Sequence, residues 1–89
     1  MIFFNHFNMF FVYAISSRNR NYIYVGMTKD LESRINRHNQ KRERTTRPYS
    51  PFDLIYSEQV ETRIEARKRE IYWKSGIGKE KFRLIREKL

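Results

Sequence analysis

Eighty-nine residues carry a formal charge of +9, from 19 Lys and Arg against 10 Asp and Glu, and include no cysteine. A chain this short holds one domain, and without thiols it forms no disulfide, no zinc–thiolate site and no cysteine nucleophile. Its basic balance points to a polyanion, nucleic acid being the commonest; an anionic membrane surface is the rival, and a merely solubilising charge is the plain alternative.

Residues 1–8 of MIFFNHFNMFF read as an N-terminal extension ahead of one domain spanning 9–89. The stretch is apolar but broken by Asn5, His6 and Asn8, and it lacks a basic flank and a small-residue cleavage site, so it does not read as a signal peptide. Met9 is a candidate natural start. Clean alternation begins at Phe10: Phe10, Val12 and Ala14 fall on one side, Phe11, Tyr13 and Ile15 on the other, which predicts a strand over about 10–15. The polar run SSRNRN turns the chain, and YIYV at 22–25 supplies the second strand of an antiparallel hairpin. Gly26 reads as the tight turn into a helix capped by Thr28 or Asp30, with Leu31 and Ile35 four apart on one face.

The segment QKRERTTRPYSP at 40–51 holds both prolines and reads as an exposed basic loop with Tyr49 as a candidate stacking group. FDLIYSEQV at 52–60 is a third strand. Thr62 then opens a second helix, with Glu65 completing a T-x-x-E capping box. That helix runs to about Ser75, Gly76 and Gly78 end it, and a short basic helix over 79–89 carries Phe82 and Ile85 on one face. The order β-β-α-β-α-α predicts an α+β fold, a three-stranded antiparallel sheet packed with helices.

No apolar run approaches the ~18–20 residues of a membrane helix, and no segment is both strongly amphipathic and basic on one face. The absence of cysteine fits a reducing cytosol, so a cytoplasmic protein without membrane partners is expected. His6 and His38 lack ligand-like spacing, which argues against a His-built zinc site.

Three groups of residues stand out for chemistry. Ala66, Trp73 and Ile77 are read as one edge of the second helix's inward face and Ile64 with Ile71 as the other, with Glu70 between them. A carboxylate there needs a cation partner or a metal, and Arg67 and Lys74 are the nearby cations. Arg34 and His38, four apart, project from one face of the first helix and could both reach a phosphate, or could belong to an exposed basic face with Arg37 and Lys41. Tyr13 and Tyr24 lie near each other if the hairpin pairs as drawn, either as packing or as chemistry.

Together these pieces resemble the GIY-YIG nuclease superfamily, most nearly its small stand-alone bacterial branch and the nuclease part of the bacterial ABC excinuclease. The matching segments are Phe11-Val12-Tyr13, Tyr24-Val25-Gly26, Thr28…Leu31…Arg34…His38 and Ala66…Glu70, with Phe11 where the family has its first glycine. The resemblance implies a metal-dependent endonuclease that hydrolyses DNA phosphodiester bonds, with DNA repair or recombination as its setting. It implies one divalent ion, Mg²⁺ or Mn²⁺, held by Glu70, and no small-molecule cofactor. By the same resemblance Arg34 would neutralise charge on the phosphoryl group, Tyr24 or else Tyr13 would help activate the attacking water, and His38 would hold or relay a proton. Gly26 would turn the chain so that Tyr24 and Arg34 face one pocket. DNA contacts are expected from Arg37, Lys41, Arg42, Arg44, Arg47, Lys74 and the terminal lysines. A monomer or weak dimer is expected, and a lone site would nick one strand. The alternatives are a nucleic-acid-binding module that keeps the fold without cleaving, and a protein–protein adaptor using the aromatic surface.

Overall fold

A computed structural model describes residues 9–89, so the extension expected at 1–8 lies outside the described residues. The elements run β1 (Phe10–Ser17), β2 (Ile23–Thr28), α1 (Leu31–Asn39), a short 3-10 turn (Arg47–Tyr49), β3 (Phe52–Val60), α2 (Arg63–Lys74) and α3 (Gly76–Glu87). The three strands form one antiparallel sheet in the order β2-β1-β3. The fold is α+β in the predicted order.

β1 is central and helices pack on both faces of the sheet, so Val12, Tyr13, Ala14 and Ile15 are all 0% exposed. The alternation read from Phe10 onward sorts these side chains into two cores. Phe10, Val12 and Ala14 pack with Val25, Ala66, Trp73 and Phe82 beneath α2 and α3. Tyr13 and Ile15 pack with Phe52, Tyr24, Leu31 and Ile35 beneath α1. At about 25 cal/mol per Å² of apolar surface, these two layers supply the main driving force for folding.

The caps fix where the helices start. Asp30 accepts the Ser33 N–H at 3.1 Å and begins α1, while Thr28 remains in β2 and its hydroxyl accepts the Asp30 N–H at 3.1 Å. Thr62 accepts the Glu65 N–H at 3.1 Å and begins α2 as the capping box predicts. Across the sheet, Glu58 of β3 binds α2: it accepts from the Arg69 guanidinium, from Trp73 Nε1 at 2.9 Å and from the Tyr56 hydroxyl at 2.7 Å. The Arg69 hydrogen bond is the main cause holding the Glu58 carboxyl down to about 2.

Four expectations are corrected. β1 extends two residues beyond Ile15, to Ser17. Gly26 is not a turn: β2 continues through it to Thr28, and Gly26 stands directly opposite Tyr13. Its lack of a side chain makes room, because a Cβ there would come within 2.7 Å of the Tyr13 hydroxyl. α3 starts at Gly76 rather than Lys79, since Ser75 both ends α2 and caps α3, accepting the Gly78 N–H at 3.3 Å. Finally, Ile64, Ile71 and Ile77 are 70%, 62% and 68% exposed. Ile64 and Ile71 lie about 140–160° around the helix from Ala66 at ~100° per residue, nearly opposite the buried arc, and Ile77 belongs to α3 because the helix breaks at Ser75.

Candidate active site

The end of β2, the start of α1 and the first turns of α2 enclose an open cleft of about 560 Å³. Tyr24 of β2, Arg34 and Arg37 of α1, and Glu70 of α2 line it together. Arg34 reaches it because Asp30 starts α1 one turn earlier, and Glu70 reaches it because the Ala66–Glu70–Trp73 arc faces the sheet. The cleft lining is cationic, with Lys29, Arg34, Arg37, Arg63 and Arg67 against the carboxylates of Asp30 and Glu70. Such a concavity draws a polyanion towards its floor.

Tyr13 and His38 do not line the cleft; they lie behind it. The Tyr13 hydroxyl is 2.8 Å from His38 Nε2, and His38 Nδ1 is 2.7 Å from the Thr46 hydroxyl. His38 is 1% exposed, Tyr13 and Thr46 0%. The Tyr13 ring centroid is 6.3 Å from that of Tyr24, and the Tyr24 centroid is 5.1 Å from His38. Gly26 is what allows the two tyrosines to converge, as its absent Cβ would also lie 2.9 Å from Tyr24 Cε2. Burial pushes the Tyr13 phenol up, so it stays protonated through the physiological range. Burial lowers His38, which keeps the imidazole neutral at pH 7, and a neutral imidazole has one proton to share between the two hydroxyls.

Glu70 is 6% exposed and its two oxygens are each engaged, Oε1 by Arg67 at 3.0 Å and Oε2 by Lys74 at 3.3 Å. The ion pairing anticipated from the i−3 and i+4 spacing is thus present. Among the described residues no three His, Asp or Glu side chains gather. A single carboxylate is a donor set for a hard ion that completes its shell with water and phosphate oxygens. It does not suit zinc, which wants three or four nitrogen or sulfur ligands.

The remaining basic residues divide. Lys74 is committed to Glu70. Arg37 donates to Glu43 at 2.7 Å and that bond holds the Glu43 carboxyl below the usual range. Arg42 lines a shallower depression beside α1, with Arg37, Asp30 and Glu32. Lys41, Arg44 and Arg47 are exposed on the loop and do not line the cleft. Tyr49 stacks on Tyr22 at 3.8 Å between centroids and is used inside the fold. Four participants escape the sequence reading. Arg63 carried a signal, since 63, 67 and 70 follow helical spacing on one face. Lys29 and Arg63 each lie 5.3 Å from the Phe10 ring at the cleft rim. Glu43 and Thr46 carried none, being ordinary loop residues whose partners depend on how the loop closes.

A family model described as the GIY-YIG catalytic domain matches residues 9–83. The chain belongs to this nuclease family. It is also 35% identical over 79 residues to UPF0213 proteins of Staphylococcus aureus strains Mu50 and N315, an alignment covering 88% of this chain and 95% of each relative. No solved structure matches the chain.

Proposed function

We propose that the protein is a divalent-metal-dependent endonuclease that hydrolyses DNA phosphodiester bonds in the cleft between α1 and α2. The observation that supports this most is convergence: Tyr24, Arg34 and Glu70 come from three separate elements and line one cationic concavity. Arg34 binds the non-bridging oxygens of the scissile phosphate and offsets the charge that grows there in the transition state. Tyr24 accepts a hydrogen bond from the attacking water and orients it. The protonated Tyr13 and neutral His38 fix the position of Tyr24 from behind through ring packing, and their own hydrogen bonds, on to Thr46, hold that arrangement. Glu70 would hold the Mg²⁺ or Mn²⁺ ion, which, when bound, polarises the phosphate and stabilises the leaving oxygen. Lys29, Arg37, Arg63 and Arg67 hold the flanking backbone, so affinity falls steeply with salt and discriminates little between sequences. Repair or recombination in the cytoplasm is the setting we propose.

The test is incubation with supercoiled, branched and single-stranded DNA, with Mg²⁺ or Mn²⁺ and with chelator. Cleavage that needs the metal and is lost in Arg34→Ala with the fold retained supports the enzyme. One observation favours a second reading. Both Glu70 oxygens are already paired to cations, as suits a module that binds nucleic acid without cutting it. Salt-sensitive binding with no cleavage of any substrate would establish that reading instead.

A further inference from the structure

A second cationic concavity lies away from the cleft. It measures about 170 Å³ and is formed by Asn21, Tyr22 and Ile23 at the start of β2 together with Lys79, Arg83 and Arg86 of α3. The three cations recur at i, i+4 and i+7, so they share one face of the helix and point at one place. No carboxylate lines the depression, in contrast to the cleft, which contains two. Among the described residues neither Lys79 nor Arg86 has a carboxylate within 4.0 Å, and Arg83 pairs only with Glu80 of its own helix at 2.6 Å, with both side chains more than half exposed. A surface pair of that kind contributes little and exchanges readily for a phosphate.

Position supplies the second argument. β2 is an outer strand of the sheet, and the two concavities sit towards its opposite ends: Ile23 lines one, Met27 and Thr28 the other. The α2–α3 layer walls both on one side of the sheet, with Arg63 and Arg67 at the cleft and Arg83 and Arg86 at the depression, and α1 supplies a further wall of the cleft with Arg34 and Arg37. At ~3.3 Å per residue, Ile23 lies about 15 Å along the strand from the Met27–Thr28 end of the cleft and one residue from Tyr24 on the cleft wall. Along duplex DNA, at ~3.4 Å per base pair, the separation is at most roughly four to five base pairs.

The geometry points to a second phosphate-binding site at Lys79, Arg83 and Arg86, which grips the backbone of the same duplex within about four to five base pairs of the phosphate held in the cleft. This rests on the reading of the protein as a nucleic-acid-cleaving domain and adds to it a minimum substrate: duplex that continues past the cut on the side of α3. The site neither touches the reacting atoms nor alters them. It lengthens the footprint and sets the direction in which the duplex lies along β2.

Fluorescence anisotropy with labelled duplexes of stepwise decreasing length, in chelator so that nothing is cut, tests the site on the full chain. Wild-type affinity is expected to break downward once the duplex is too short to reach both concavities. In Lys79→Gln/Arg83→Gln/Arg86→Gln the break moves shorter, by up to about four to five base pairs. With two or three phosphate contacts gone, the affinity lost between 50 and 200 mM salt should be roughly 10- to 40-fold less than for wild type. A control with the same charge removed elsewhere, Lys68→Gln/Lys81→Gln/Lys88→Gln, keeps the wild-type break. If both triple variants behave alike, only overall charge matters and the site is overturned. A wild-type length series without any break overturns it independently of the variants. Wild-type protein that binds and cleaves while the groove variant is unchanged defeats the groove alone; wild-type protein with no salt-sensitive binding defeats it together with the nuclease reading.

Discussion

Replacing Gly26 by alanine probes the closest approach in the candidate site. The added methyl would lie 2.7 Å from the Tyr13 hydroxyl, 2.9 Å from Tyr13 Cζ and 2.9 Å from Tyr24 Cε2. Carbon atoms pack best at about 3.5–4.0 Å, so a tyrosine must shift by roughly half an ångström or more. Tyr13 has nowhere to go, being 0% exposed and tied to His38 at 2.8 Å; Tyr24, half-buried at the cleft wall, is the one displaced. Overpacking of this kind costs about 1–3 kcal/mol, and alanine in place of glycine inside a strand returns about 0.5–1 kcal/mol. The net expectation is a loss of about 1–2 kcal/mol, read by urea unfolding followed through Trp73 fluorescence, or a melting temperature lower by roughly 4–16 °C. Cleavage should fall further than stability, by about 100-fold, because misplacing a reacting group by an ångström has that effect. Removing the Tyr13 hydroxyl relieves the shortest contact, so Tyr13→Phe should cost less stability in the Gly26→Ala background than in wild type. Strict additivity of the two substitutions within about 0.3–0.5 kcal/mol, or a Gly26→Ala protein as stable as wild type, would refute the packing argument.

The other glycines give an internal contrast. A Cβ at Gly78 would meet the Tyr72 carbonyl oxygen at 2.5 Å and Trp73 Cα at 2.6 Å, while nothing lies within 4 Å at Gly76; Gly78→Ala should lose about 2 kcal/mol or more in chemical denaturation, whereas Gly76→Ala should be neutral or gain up to about 1 kcal/mol. Glu58 has a folded-state value of about 2 against an ordinary 4.5, so its contribution is fully present above pH 4.5 and is lost as pH falls towards 2. With the Arg69 side chain 43% exposed, solvent screening reduces that contribution to about 1–2 kcal/mol. The stability gap between wild type and Glu58→Gln should therefore narrow from about pH 4.5 downward and close near pH 2, and a gap that stays constant would contradict the assignment. Thr46→Val deletes the oxygen facing His38 Nδ1 and strands a buried nitrogen, which should cost about 1–3 kcal/mol and alter the His38 tautomer signals in nitrogen-15 NMR; Thr46→Ser should restore both, and a valine variant with unchanged signals would remove Thr46 from the site.

What the sequence makes legible here is whatever a local rule controls. The two-residue alternation through Phe10–Ile15 sorts side chains onto two faces, and it reads correctly because β1 is covered on both. The cap at Thr62 reads correctly, and Asp30 is one of the two caps read for α1, because a side-chain oxygen three residues ahead of its N–H is a local bond. Glu70 is legible as an inward carboxylate with two cations for the same reason, helical spacing. Gly26 is misread because a glycine near a strand end has two uses. Only the cross-strand neighbour, Tyr13, shows that the missing side chain is needed for space rather than for a turn. The inward placing of Ile64 and Ile71 fails because apolar character outweighed the angle. Thr46, eight residues from His38 and in an irregular loop, is invisible until that loop is closed by the paired bonds between the Asn39 amide and the Phe52 backbone, at 2.7 and 3.3 Å.

The central claim, that Glu70 makes the cleft a metal-dependent phosphodiesterase site, is tested most directly by nicking of supercoiled plasmid with wild type and Glu70→Gln side by side in Mg²⁺ or Mn²⁺. The glutamine keeps the shape and removes the charge. Wild type is predicted to produce nicked circles only with the ion present, and Glu70→Gln to lose activity by about 100-fold or more while its circular dichroism matches wild type. Equal nicking by the two proteins, or wild-type nicking that persists in chelator, would contradict the account.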